Sequence, residues 1–541
     1  MNTLHKHILA AIGLFLLAAI APSTTLAEEA AASAWIATAR EAAQANEHSK
    51  SIKAFEHALR EYPSKRSEIL HEYADQLTYG GRGKEAVPLY REIIDTPGIS
   101  SDEEKSARRG LALALSWTDQ QQPALREYQT LVANNPGDLD ALRSVGRVQS
   151  WRGQHRRAVE QLENFLAQYP NDSEGVALLA QALDSIGRPD RAKKVLLDHL
   201  ATTPGDKNAE RLLEELARSQ RPETLFNYRE SHQSDDLRIT GWELGQDVQF
   251  NDGLTTVGPR FHTYRYDPED KNEVKPGPDR MFGTPDDVPV DSSNIYVYRP
   301  GLHVRHRFND AIEWNGTGWV DVIDEKNQDD SAPFTYDTWL TIWPNDFFRI
   351  DVGSNRTTFD NVESLRQNIK ATYASVSVDA MPDEKTRLTG RFRWGDYTDG
   401  NQQTWWQIEI ERRIWNDPRV HFAFRYTGMD FNKFFHNSGR PLNNGYFNPD
   451  NYHSWEGRVR AYDELLPDLW YHVEISAGAE DSSGTSAQLI WSAAGGFSYW
   501  INDWLEVALQ YGFFSSKTAS GGGSSGGFDR GTGSLTLRTR W

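Results

Sequence analysis

Leu505-Glu506-Val507-Ala508-Leu509-Gln510-Tyr511-Gly512-Phe513 decides the fold: every second residue is large and apolar, and the residues between are small or polar. A period of two is that of an extended strand, and this division suits a strand with one face to lipid and one to water. The same period marks Trp242, Leu244, Val248 and Phe250, then Leu388, Phe392 and Trp394, then Val420, Phe422, Phe424 and Tyr426. Working outward, about sixteen such segments fill the chain from about Glu223 to Trp541. A closed barrel is the all-β way to satisfy backbone polar groups in lipid, so a transmembrane antiparallel β-barrel is expected.

The connections carry the stronger signal. Asn251-Asp252-Gly253, Asn309-Asp310, Trp343 to Asp346, Met381 to Glu384, Trp415 to Pro418, Leu466 to Asp468 and Ile501 to Asp503 are brief. Asp267 to Asn294, Asp324 to Ala332, Phe359 to Gln367, Asp430 to Asn451 and Ser515 to Gly527 are long and polar. The two kinds alternate, as periplasmic turns and extracellular loops do, whereas a soluble sandwich would not order its loops this way. An even strand count leaves both chain ends in the periplasm. Trp343, Phe347, Trp415, Trp470, Trp500 and Trp504 beside the short turns fit an interfacial girdle. The last strand, with Leu535, Leu537, Thr539 and Trp541 on one face, resembles the C-terminal signal read by the barrel-insertion machinery.

Upstream the period changes. Pro136, Pro170 and Pro204 recur at a 34-residue interval in Asn-Pro-Gly-Asp, Tyr-Pro-Asn-Asp and Thr-Pro-Gly-Asp, and Ala124, Ala158 and Ala192 repeat at the same interval. Gly153 and Gly187 mark turns inside two repeats, and Ala54 and Ala86 extend the ladder less regularly. This is the tetratricopeptide period, giving about five helical hairpins between Ala34 and Leu216. Such arrays bind proteins or extended polymers on a concave face. The first residues read as a secretory signal: His5, Lys6 and His7, an apolar run of about 14 residues from Ile8 to Ala21, and Thr25-Leu26-Ala27 before Glu28. That run is short of the ~20 residues a spanning helix needs. The expected organisation is a signal peptide at 1–27, periplasmic repeats at 28–216 and an outer-membrane barrel at 217–541. The fold class is therefore an α + β two-domain chain, a repeat superhelix followed by the barrel.

Composition agrees. Hydrophobic residues make up 38% of the 541, and mean hydropathy is -0.66, which excludes a helical membrane protein beyond the first residues. With no cysteine there is no disulfide framework and no acylation site of the lipoprotein kind. A formal net charge of -19 argues against nucleic acid as a partner. No nucleophile elbow, HExxH or phosphate loop occurs, so no enzyme, cofactor or metal is expected. The acidic stretch at 267–291 could hold calcium but lacks EF-hand spacing, and a solvated loop is the plainer account.

Counting parity from the apolar positions puts Glu243, Asp247, Glu313, Asp321, Asp337, Asp351, Glu409, Glu411, Glu474 and Glu506 on the water-facing side. Trp319, Trp339, Trp405, Trp470 and Trp504 share it. Together these form a candidate substrate path, because an indole stacks on the apolar face of a sugar while carboxylates bond its hydroxyls. Arg305, Arg307, Arg349, Arg391, Arg393 and Arg425 lie on the same face, so pairing that simply braces the wall is the competing account.

An exported chain with repeats fused to a barrel resembles the exopolysaccharide export porins of the PgaA and BcsC types. Gly445-Tyr446-Phe447-Asn448-Pro449-Asp450-Asn451-Tyr452 resembles the Tyr/Phe-Pro segment late in those barrels. The resemblance implies export of a poly-N-acetylglucosamine-like or cellulose-like polymer, with the repeats recruiting periplasmic proteins or the polymer itself. About five repeats are fewer than those exporters carry, which leaves room for smaller repeat-barrel proteins of the YaiO type. The alternative is an outer-membrane receptor or assembly scaffold whose repeats dock partners and whose barrel is an anchor.

Overall fold

A computed structural model describes residues 28–541 apart from 235, 269–273, 276–287, 290–292, 326–330, 434–445, 484–485 and 517–527. Residues 1–27, where a signal segment is expected, and most of the 267–291 loop lie outside the described residues. The chain divides into two compact units, residues up to 178 and residues 179–541.

The first unit is helical. Helices α1 (28–44), α2 (His48–Glu61), α3 (Arg66–Tyr79), α4 (Gly83–Ile94), α5 (Ser101–Trp117), α6 (Gln121–Asn134), α7 (Leu139–Trp151) and α8 (His155–Gln168) lead into α9 (Ser173–Ser185). The repeat of Pro-x-Asp has a physical meaning at each boundary. Proline cannot continue the preceding helix, and the aspartate two residues on caps the next. Asp138 accepts from the Ala141 amide at 3.2 Å and Asp172 from the Gly175 amide at 2.7 Å. Inside each hairpin one residue takes a left-handed conformation: Asn46, Gly81, Asp119, Gly153 and Gly187. Only glycine does this freely, with asparagine and aspartate the usual substitutes, so a fixed structural position is filled by three residue types. The ladder alanines Ala54, Ala86, Ala124, Ala158 and Ala192 are all buried where helices cross.

The second unit begins with the end of α9 and holds α10 (Pro189–Thr202) and α11 (Lys207–Ser219). Asp206 accepts from the Asn208 amide at 3.0 Å, so the third Pro-x-Asp opens α11 in the same way.

Sixteen barrel strands follow: β1 (Glu223–Gln233), β2 (Leu237–Phe250), β3 (Thr255–Pro268), β4 (Ile295–Arg307), β5 (Ile312–Val320, resumed at Val322–Glu325), β6 (Phe334–Asn345), β7 (Phe348–Thr358) and β8 (Lys370–Asp383). Then come β9 (Thr386–Tyr397), β10 (Gln402–Asn416), β11 (Arg419–Phe431), β12 (Tyr452–Leu466), β13 (Leu469–Asp481), β14 (Gln488–Asn502), β15 (Leu505–Ser516) and β16 (Phe528–Arg540). All pairings are antiparallel, and β1 pairs with β16 from Glu223↔Arg540 to Gln233↔Arg530, which closes the barrel. A closed sheet has no unpaired edge, the condition for crossing lipid.

Large apolar residues are exposed on the outer face, among them Trp242, Leu302, Ile408, Phe424 and Leu509. The short turns share one end of the barrel. At the opposite end the connections are mostly long, but 234–236 between β1 and β2 spans three residues, and 398–401 between β9 and β10 is a four-residue turn, tied by the Tyr397 amide to Asn401 O at 3.0 Å. Strict alternation of loop lengths is thus corrected at both places.

Within this unit the helices meet the turn end. Arg188 and Arg191 pair with Asp310 in the β4–β5 turn, Arg191 at 2.6 Å, and Lys193 pairs with Asp252 in the β2–β3 turn at 2.6 Å. Gln249 donates to Ser219 O at 3.0 Å, and the Arg307 guanidinium donates to Ile186 O at the end of α9 at 2.5 Å. A helix C-terminus offers unsatisfied carbonyls, which a guanidinium answers well.

Candidate functional site: the barrel lumen

Alternation along the strands carries one set of side chains inward, and the candidate path residues separate into three groups. The acids are mostly engaged by neighbours on adjacent strands. Asp247 pairs with Arg260 at 2.6 Å, Glu313 with Arg307 at 3.2 Å, and Glu506 with Arg538 at 2.7 Å. Asp351 accepts from Thr341 at 2.6 Å and Arg349 at 3.1 Å, while Glu243 accepts from Tyr264 at 2.5 Å. Asp321 has no exposed surface; Arg299 binds it through two nitrogens at 2.8 and 2.9 Å, and Thr335 donates at 2.9 Å.

On the wall formed by β10 to β13 the pairs fuse into a ladder. Glu409 receives Arg425 at 2.7 Å and Arg458 at 2.8 Å; Arg458 also binds Glu474, which receives Arg460 at 3.0 Å; Arg460 reaches Glu411 at 3.3 Å. The register explains it, since Glu409 lies directly opposite Arg425 and Glu474 opposite Arg460. Opposite charges at facing positions are the favourable cross-strand arrangement. Of the two accounts given for these acids, the bracing pairs hold at these positions, where arginines take up the carboxylate oxygens. Asp337 differs: it makes no ion pair among the described residues, and its Oδ1 has no hydrogen-bond partner.

The tryptophans form the second group. Trp319 on β5 lies over Gly301 of β4, and Trp339 on β6 lies over Gly353 of β7; a Cβ at either glycine would come within 2.3 Å of the ring. A glycine facing an aromatic lets the ring fold down against the wall. Trp405 on β10 has the Arg393 guanidinium 5.1 Å from its ring centre.

The third group sits at the turn end. Trp470 keeps the inward parity but stands at the rim, with Arg419 5.7 Å from its ring centre. Arg307 over Trp343 at 4.2 Å and Arg540 over Trp500 at 4.7 Å repeat the arrangement. These three indoles, expected in a lipid girdle, instead carry arginines at the inner rim, a cation–π contact. Trp504 is corrected as a path residue: it lies in the turn before β15, half exposed and outside the wall strands, a place that fits the girdle expected of it instead. Trp415 is exposed as a girdle residue should be.

Residues 359–369, between β7 and β8, contribute a feature that polarity had assigned to a plain extracellular loop. They include a short helix, α12 (Val362–Arg366), whose start is capped by Asn361 accepting from the Glu363 amide at 2.9 Å. Leu365 and Val362 pack on the inward residues Leu237, Ile239, Tyr264, Tyr266, Ile295, Val297 and Ile323 of β2 to β5. Phe359 turns the other way and stacks on Tyr397 at 5.6 Å and Tyr446 at 5.2 Å. The apolar residues Phe359, Val362, Leu365 and Ile369 in a loop otherwise polar were the available signal.

Tyr446 lies in the Gly445 to Tyr452 stretch, of which 446–452 is described. It stacks on Tyr397 at 4.9 Å, and its hydroxyl donates to Asp399 at 2.7 Å. Tyr452 donates to the fully buried Glu480 at 2.9 Å. The motif thus fastens an extracellular-type loop to the inward face. Among the described residues no group of acids and histidines is placed to hold a metal ion.

Residues 152–216 match the tetratricopeptide repeat family. Among solved structures, the chain is similar to a bacterial polysaccharide outer membrane secretin at 12% identity, over 60% of this chain and 99% of that one, with a TM-score of 0.44. OccK5 (OpdH) of Pseudomonas aeruginosa is similar at 9% identity, over 59% of this chain and 98% of that one, with a TM-score of 0.32. The MamA protein aligns at 20% identity, over 35% of this chain and 94% of that one, with a TM-score of 0.26. No curated protein matches the chain in sequence.

Proposed function

We propose that this protein is an outer-membrane porin that exports an exopolysaccharide, poly-N-acetylglucosamine-like or cellulose-like, with its repeats in the periplasm recruiting partner proteins or the polymer. The observation that carries this reading is one chain joining a tetratricopeptide array to a closed barrel with Trp319, Trp339 and Trp405 on its inner face. Stacking is the affinity a sliding glycan can use at every step, because each pyranose offers the same apolar face. Arginines pair most of the inward acids and Asp337 stays without an ion pair among the described residues, a wall that suits a neutral or weakly cationic polymer. The helices of the second unit sit at the turn end, so in this reading that end is periplasmic.

The test is binding of glycan oligomers to the purified full-length chain in a planar bilayer. Oligomers of the right sugar should interrupt the ion current, and W319A/W339A should shorten the blockades about tenfold, as loss of two modest stacking contacts predicts. Blockades unchanged by that double substitution would remove the indoles from the path.

A second reading, a docking scaffold with the barrel as anchor, is favoured by the 359–369 segment lying across the mouth. It predicts no conductance under any condition, in the wild type or in variants of that segment.

A further inference from the structure

Asp360 stands at the centre of an arrangement that wall packing does not require. It leaves the end of β7, yet it pairs with Arg229 on β1 at 3.5 Å and Arg530 on β16 at 3.4 Å, and it accepts from Tyr266 on β3 at 2.9 Å. β1 and β16 lie six and seven strands around the barrel from β7. A residue next to β7 reaches them only along a chord through the lumen. The two anchors of the segment then fall on opposite walls, with Leu365 on β2 to β5 and Phe359 stacked toward β9.

The contacts are also of a weak and reversible kind. The Asp360 carboxylate and both guanidiniums keep between 28 and 42% of their surface exposed, so each pair contributes little. Apolar anchoring rests on Leu365 and Val362 on one side, and on Phe359 and Ile369 on the other. A segment held by exposed ion pairs and a few apolar anchors opens at less free energy than unfolds the barrel.

We propose that residues 359–369 are a strap that gates the lumen, latched by Asp360 between Arg229 and Arg530, and that release of this latch opens the conduit to the outside. The proposal rests on the reading of the barrel as a conduit and names its regulation. A polymer arriving from the turn end would displace the strap by competing for the aromatic surface on which Phe359 stacks.

Ion current through the full-length chain in a planar bilayer tests this with no polysaccharide present. Wild type should show rare openings. D360A should raise the open probability about tenfold, the shift expected from removing two ion pairs and a charged hydrogen bond from a two-state equilibrium. A chain with 361–367 replaced by a Gly/Ser linker should stay open. The sequence has no cysteine, so D360C/R530C can be tethered by a short bis-methanethiosulfonate, which forms a reducible disulfide with each thiol as methanesulfinate leaves. Tethering should shut the pore, and reduction should restore the current. Heat-modifiable gel mobility of each variant confirms that its barrel has closed.

The gate is overturned if wild type, D360A and the linker variant carry the same current, or if the tether leaves the current unchanged. A gated pore in a strain whose matrix polysaccharide survives deletion would sink the export reading and leave the gate standing. An ungated pore whose deletion abolishes the polysaccharide would do the reverse.

Discussion

At the scale of single residues, Asp321 is the position where charge matters most. Fully buried and held by Arg299 and Thr335, it interrupts β5 between Val320 and Val322. Asp321→Ala leaves a buried guanidinium without its counter-ion, and about 3–5 kcal/mol of barrel stability should be lost, read from urea unfolding in lipid. In the helical unit, Asp119 holds the left-handed site that glycine fills in the later repeats. Asp119→Gly should be neutral or slightly stabilising, whereas Gly153→Val should cost about 1–2 kcal/mol in thermal or denaturant unfolding. His71 is raised above its ordinary value by its hydrogen bond to Asp75, with burial opposing. A raised folded value means this contribution is complete below about pH 6.5 and fades as pH climbs through the folded value. H71Q should therefore speed amide exchange in α3 and α4 relative to wild type at about pH 5.5, and the difference should vanish at high pH. Parity alone told which face each of these barrel residues would occupy, but the partner of an acid depends on strand register, which is why both accounts stood open for Glu409 and Glu474, where register sets arginines against them.

At the scale of elements, the boundaries were the most readable part of the chain. Pro-x-Asp is legible because one residue stops a helix and another starts the next, both by local geometry. The docking of α10 against the turns was not, since it depends on Asp252 and Asp310 meeting basic residues some 59 and 119 to 122 positions away. Asp310→Ala should loosen that contact and expose the peptide between α10 and β1 to protease while β-sheet content stays unchanged. Cleavage no faster than in wild type would show the ion pairs to be incidental. The strap at 359–369 was missed for the same reason: a loop is judged polar by its average, while Val362 and Leu365 act individually.

At the scale of the whole molecule, the sequence period changes from 34 residues to two, and architecture follows that change. The repeats and the closed sixteen-strand barrel were legible because each rests on periodicity, the most local of signals. The state of the lumen was not, because it depends on a loop that crosses to strands nearly half the barrel away. In the proposed function a glycan leaves the cell through this barrel. Deletion of the gene, followed by sugar analysis of the secreted matrix and of the periplasm, tests it most directly. The account predicts loss of one polysaccharide from the matrix with its accumulation or degradation inside, restored by the intact chain; a matrix of unchanged composition and amount would contradict it.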